Sequence, residues 1–113
     1  MSSFLTGSRA YGTPHEESDY DHCILLSDHA ARCMVEVFEE REGSGCNSGS
    51  NIMYASFKIG RLNILIFTDL KQFEVWRRAT EFLITKAPVT RKKAVKYIRK
   101  KLHKAGYLKP GEV

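Results

Sequence analysis

The chain has 113 residues, 42% of them hydrophobic, and a net charge of +5. That length holds one domain with a modest core and excludes a second full one. No apolar run approaches the ~20 residues that cross a bilayer, and "MSSFLTGSRA" lacks the basic start and apolar stretch of a secretion signal. Three cysteines, Cys23, Cys33 and Cys46, form no metal-type spacing. An odd count without a signal points to reduced thiols in a cytoplasmic protein.

In chain order, "SSFLT" reads as a short strand ended by Gly7, and "SRAYG" as one helical turn broken by Gly12, Thr13 and Pro14. "DYDHCILLS" reads as a strand with an apolar far end. In "DHAARCMVEVFEER", Ala31, Met34, Val35 and Phe38 recur with helical spacing behind Asp28 as N-cap. "GSGCNSGSN", residues 43 to 51, has the composition of a flexible connection. "IMYASFKIGRLNILIFTD" reads as strands Ile52–Ile59 and Leu62–Thr68, an antiparallel hairpin turning at Gly60-Arg61. "DLKQFEVWRRATEFLI" is a helix with Phe73, Trp76, Ala79 (or Thr80) and Leu83 inward. Pro88 stops it. "TRKKAVKYIRKKLHKAGYLKPG" is a last helix, capped by Thr90, ended by Gly106, with Val95, Ile98, Leu102 and Ala105 as its apolar stripe. The domain is therefore read as 1–113, a core over 1–85 and a basic C-terminal helix over 86–113.

The chemistry concentrates at residues 7 to 21, "GSRAYGTPHEESDYD". Side chains at i and i+2 of a strand share a face. Asp19 and Asp21, ~7 Å apart by that geometry, suit magnesium, which takes one or two carboxylates plus substrate phosphates. Tyr20 between them is expected to pack on the other face, as is His22. Gly7 lets backbone approach a ligand, and Ser8 with the N–H groups of its turn makes a phosphate site. Arg9 either touches phosphate or pairs with an acid. His15 is a candidate substrate contact. A nucleoside triphosphate with magnesium needs both grips at once.

"GSRAYG" followed by "SDYDHCILLS" resembles the signature of the nucleotidyltransferase superfamily typified by DNA polymerase beta, whose small members include minimal enzymes of prokaryotes and phages. The residues that carry the resemblance are Gly7, Ser8, Arg9, Ala10, Gly12, Ser18, Asp19 and Asp21. It implies an α+β fold with a small mixed β-sheet and helices packed on one side. It also implies divalent-metal-dependent transfer of a nucleoside monophosphate from an NTP to a hydroxyl, with Mg²⁺ or Mn²⁺ as cofactor. Gly7, Ser8, Arg9 and Ser18 would bind nucleotide, and Asp19 and Asp21 the metal. A third carboxylate on a later strand normally completes the site, and Asn63 stands at the expected position. Asp69, six residues further and ~20 Å away along a strand, is expected to cap the next helix. Lys58 and Arg61 are placed near the triphosphate or on a solvated surface.

From Met1 to Asp28 there are five acids and one base; from Phe82 to Gly111 there are ten bases and no acid. The second run favours a polyanion partner. Arg91, Lys92, Lys96, Arg99 and Lys100 are its candidate nucleic-acid contacts, with Tyr97 and Tyr107 as possible stacking rings. Three functions follow: transfer to RNA, such as a transfer RNA, or to protein; a catalytically weak relative acting as an antitoxin-like nucleotide-, RNA- or protein-binding regulator; or a simple nucleic-acid binder.

Overall fold

A computed structural model describes residues 2–42, 47–48 and 53–107. Cys46, Ile52, Lys109 and most of the expected 43–51 connection lie outside the described residues. The elements are β1 (Ser2–Thr6), α1 (Ser8–Tyr11), β2 (Tyr20–Leu25), α2 (Asp28–Glu42), β3 (Asn47–Ser48), β4 (Ala55–Ile59), β5 (Leu62–Phe67), α3 (Leu70–Thr85) and α4 (Arg91–Lys104). The short β3 falls within the stretch expected to be a connection. No helix among the described residues is long and apolar enough to cross a membrane.

The strands form one sheet in the order β1-β2-β5-β4-β3. β2 and β5 are parallel; every other neighbouring pair is antiparallel, including the expected β4–β5 hairpin. The α+β class and the mixed sheet are as expected. The one-sided helix layer is not: helices cover both faces. On one face, Phe73 and Trp76 of α3 pack over Phe4, Cys23, Leu65 and Phe67. The ring of Phe73 meets those of Phe4 and Phe67 edge-on at 5.1 and 5.7 Å. On the other face, Ala31 and Phe38 of α2 pack with Ala55, Phe57 and Ile66. The cause is visible in β5, whose consecutive Ile64-Leu65-Ile66-Phe67 puts apolar side chains on both faces, as a central strand buried on both sides requires.

Capping follows side-chain chemistry closely. Asp69 accepts from the Gln72 N–H at the start of α3, and Thr90 from the Lys93 N–H at the start of α4. At α2 the cap is Ser27, one residue earlier than expected: its hydroxyl accepts from the Ala30 N–H at 3.2 Å. Asp28 becomes the first helical residue, where its charge still favours the helix N-terminus. Gly106, just past α4, has φ +92, as its expected helix-ending role needs.

α4 packs on α3 through Ala94, Ile98 and Leu102 against Ala79, Leu83 and Tyr11. This corrects the expected stripe. Ile98 and Leu102 are buried as expected, but Ala94 takes the place of Val95, which is 40% exposed. Tyr20 is also corrected: it is 43% exposed rather than packed.

The end of the chain returns to the start of α3. The Tyr107 hydroxyl donates to Asp69 Oδ2 at 2.8 Å. Burial, reinforced by that bond and by the Asp69 charge, pushes the Tyr107 hydroxyl up from 10.0 to about 12. Burial alone would raise the Asp69 carboxyl, but hydrogen bonds from Tyr107, Gln72 and Lys71 outweigh it and hold it below 3.8. Tyr107→Phe is expected to lower stability by about 1 kcal/mol at neutral pH, the scale of one hydrogen bond. The sign on each side is set by the two shifts. A lowered acid contributes above its unfolded value and loses that contribution as pH falls through the folded one; a raised phenol contributes below 10.0 and loses it toward about 12. The difference in unfolding free energy between wild type and Tyr107→Phe, measured by urea titration, should be flat across neutral pH. It should shrink below pH 3.8 and again above pH 10.0.

Candidate active site

The sheet register draws a row across four strands. Thr6 of β1 pairs with Asp21 of β2, Asp21 with Asn63 of β5, and Asn63 with Lys58 of β4. Gly7 follows Thr6 and so arrives beside Asp21. Its φ of 79 and ψ of -163 lie where side chains are strained. A Cβ there would stand 2.1 Å from Asp21 Oδ2, so backbone and carboxylate touch directly.

The turn after Gly7 is fixed from several sides. The N–H groups of Ala10 and Tyr11 donate to the Gly7 carbonyl, and that of Gly12 to Ser8. Tyr11 is 7% exposed; its hydroxyl bonds Thr6, and burial raises its pKa. Thr6 in turn exchanges a 2.9 Å hydrogen bond with Thr80 of α3. The Val89 N–H donates to the Tyr11 carbonyl at 2.8 Å, tying α1 to the approach of α4.

Asp21 Oδ1 accepts from Asn63 Nδ2 at 3.0 Å. A carboxylate only accepts, so the amide nitrogen must face it. Asp19 lies just before β2 rather than inside it, and its Oδ1 is 3.0 Å from Lys58 Nζ. Beneath Asp21 on the same face, the Cys23 thiol is fully buried; burial first, then the Asp21 charge, push its pKa up. It is a core residue and not a nucleophile.

These residues open on a cleft of about 570 Å³. Gly7, Ser8, Ser18, Asp19, Asp21 and Asn63, all expected in the site, line it. Arg91, Val95, Ile98, Arg99 and Leu102 of α4 line the same cleft, with Leu65 and Trp76 among its apolar lining.

Arg9 is the exception in the expected nucleotide-binding set. It does not line the cleft. Its guanidinium donates to the carbonyls of Ser18, His15 and Glu16 at 3.1, 3.0 and 3.2 Å and lies 3.9 Å over the Tyr20 ring. It is a latch for the 13–18 loop, and the exposed Tyr20 serves that latch. Arg61 reinforces it by donating to the Glu16 carbonyl. His15 belongs to the same loop and does not line the cleft; its backbone N–H donates to the Ser18 hydroxyl, and its Nδ1 accepts from the Glu17 N–H.

The basic set divides. Arg91 and Arg99 line the cleft, whereas Lys92, Lys96 and Lys100 are exposed outside it. Sequence reasoning placed all five on one nucleic-acid surface. The overlooked signal was the i, i+4, i+8 spacing of Arg91, Val95 and Arg99, which puts them along one helix face.

Among the described residues no group of three or more His, Cys, Asp or Glu side chains is placed to hold a metal ion. Asp19 and Asp21 both line the cleft, and a pair of carboxylates is donor chemistry that suits one magnesium ion. They do not supply the third carboxylate that a second ion would use.

The family model described as Nucleotidyltransferase domain matches residues 2–107. No curated protein and no solved structure matches the chain. The matched span takes in every element from β1 to α4, and the chain belongs to the nucleotidyltransferase domain family.

Proposed function

We propose that this protein moves a nucleoside monophosphate from an NTP to a hydroxyl of RNA, and that Asp19 and Asp21 carry the reaction. Family membership supports nucleotidyl transfer in general. The observation that supports the specific reading is the close approach of the Gly7 backbone to the Asp21 carboxylate, which brings the Gly-Ser turn and the aspartate pair together in one cleft.

In this reading Gly7 and Ser8 bind the phosphates and Ser18 lines the nucleotide. Asp19 and Asp21 would hold Mg²⁺ or Mn²⁺, which when bound offsets triphosphate charge and the charge developing on pyrophosphate. Asn63 orients Asp21 through its 3.0 Å hydrogen bond. The acceptor oxygen bonds to the α-phosphorus as the α–β bridging bond breaks and pyrophosphate leaves. Asn63 has no basic atom, so among the cleft-lining groups Asp19 and Asp21 are the ones able to take the hydroxyl proton.

RNA is favoured over protein as acceptor by the exposed lysines of α4. Lys92, Lys96 and Lys100 recur at i, i+4 and i+8, in a segment without an acid from Phe82 to Gly111. Such a face positions a phosphate backbone without reading sequence.

One observation favours the second reading, a nucleotide-binding regulator with weak or no catalysis. An amide replaces the third carboxylate and occupies an Asp21 oxygen. Incubation with each NTP labelled at the α-phosphate, with Mg²⁺ or Mn²⁺ and with total RNA or total protein, separates the readings. Label on RNA is expected. Label on protein alone would move the acceptor to protein. Nucleotide binding without label under any donor would establish the regulator.

A further inference from the structure

We propose that Arg91 and Arg99 form a pyrophosphate clamp: they hold the terminal phosphates of the bound triphosphate and retain pyrophosphate as the leaving group. The inference rests on the reading of this cleft as a triphosphate site, and it concerns the part of the lining that the Gly-Ser and Asp-x-Asp motifs do not supply.

The residue types argue first. Of the ten bases between Phe82 and Gly111, eight are lysine and two are arginine. Both arginines line the cleft, and none of the described lysines of that segment does. A guanidinium offers a planar fork that pairs with two phosphate oxygens at once, whereas an ammonium is a hydrated point charge. The helix thus carries the phosphate-specific cation inward and the general-purpose cation outward.

Position argues second. The position of α4 is fixed by packing, since Ala94, Ile98 and Leu102 are each under 5% exposed. It is also registered on the phosphate turn itself, because the Val89 N–H bonds the carbonyl of Tyr11, three residues after Ser8 in the same short helix. A triphosphate gripped at Ser8 therefore meets arginines whose distance from that grip is set by the fold.

Charge argues third. Asp19 and Asp21 are the acids of the cleft lining and Arg91 and Arg99 its strong bases, the acids from the β2 side of the chain and the bases from α4. A metal at the carboxylates offsets only part of a triphosphate's charge. The rest needs a cation beyond the metal, and the apolar lining of Leu65 and Trp76 strengthens any such pairing by lowering the local dielectric. When the α–β bond breaks, the new negative charge appears on pyrophosphate, the group these arginines face.

The test is calorimetric titration of the full chain with inorganic pyrophosphate, a non-hydrolysable NTP analogue and a nucleoside monophosphate, all with Mg²⁺. The variants are Arg91→Gln, Arg99→Gln, their double, and the charge-matched Lys101→Gln/Lys104→Gln, two exposed α4 lysines outside the cleft. Both arginines are exposed to solvent, so the substitutions should leave thermal unfolding nearly unchanged. Each single change should weaken pyrophosphate and analogue by at least about tenfold, the scale of a charged hydrogen bond. The double should weaken them further, with the monophosphate and the lysine control within twofold of wild type. The clamp is overturned if the double variant binds pyrophosphate as wild type does, if the lysine control loses as much, or if wild type binds no pyrophosphate. It is also overturned if the arginine changes weaken only acceptor RNA. Arginine-dependent pyrophosphate binding without any transfer would retain the clamp and sink the transfer reading; transfer with arginine-independent pyrophosphate binding would do the reverse.

Discussion

Asp19→Asn combined with Asp21→Asn should abolish nucleotidyl transfer and leave the fold intact. The expected loss is at least about a thousandfold, the upper scale seen for removing one preorganised charge-stabilising group. Stability should change by less than about 1 kcal/mol, because the Asp19–Lys58 pair is exposed and such pairs contribute little. An asparagine at 21 can still accept from Asn63 through its own amide oxygen, so the β2–β5 contact survives. Far-ultraviolet circular dichroism and a denaturant titration check the fold; the transfer assay checks the chemistry. Transfer that survives the pair would place the reaction elsewhere.

Gly7→Ala should be the most damaging single substitution that changes no reactive group. The added Cβ would sit 2.1 Å from Asp21 Oδ2 and 3.0 Å from its Cγ. Asp21 cannot simply turn aside, since its other oxygen is held by Asn63. The backbone conformation is also strained for any side chain, at about 1–3 kcal/mol. A loss of about 2–4 kcal/mol is expected, together with loss of transfer. Gly60→Ala is the internal control: φ is +59 but nothing lies within 4 Å, so only about 1 kcal/mol of conformational strain is at stake. If the two variants melt alike, the contact between Gly7 and Asp21 is not tight.

What could be read from the sequence was what local chemistry decides. The Gly-Ser turn, the caps at Asp69 and Thr90 and the β4–β5 hairpin each depend on a few adjacent residues or on strand phase, whereas only the family resemblance places Asn63 near the site. What could not be read depends on partners distant in sequence. A helix containing both Ala94 and Val95 has two nearly equivalent apolar phases, and only contact with α3 selects Ala94. Val95, with Arg91 and Arg99, then lines the cleft beside Ile98 and Leu102. Arg9 looked like a phosphate ligand because it adjoins Ser8; three carbonyls of the 13–18 loop claim its guanidinium instead. Coverage of both sheet faces was legible in the unbroken apolar run of β5 but was outweighed by the expectation of a one-sided layer.

The asparagine at 63 has a defined position: it pairs with Asp21 across β2 and β5 and donates to its carboxylate, where the family resemblance implied a third carboxylate. Two aspartates, one amide and a phosphate turn are thus the groups proposed to carry out nucleotidyl transfer. Its most direct test follows both ends of one triphosphate in parallel reactions, one labelled at the α-phosphate and one at the γ-phosphate, with the same acceptor RNA. The expected result is α-label on the acceptor and γ-label released as pyrophosphate. Label from the γ-phosphate on the acceptor, or γ-label released as inorganic phosphate with no α-label transferred, would contradict it.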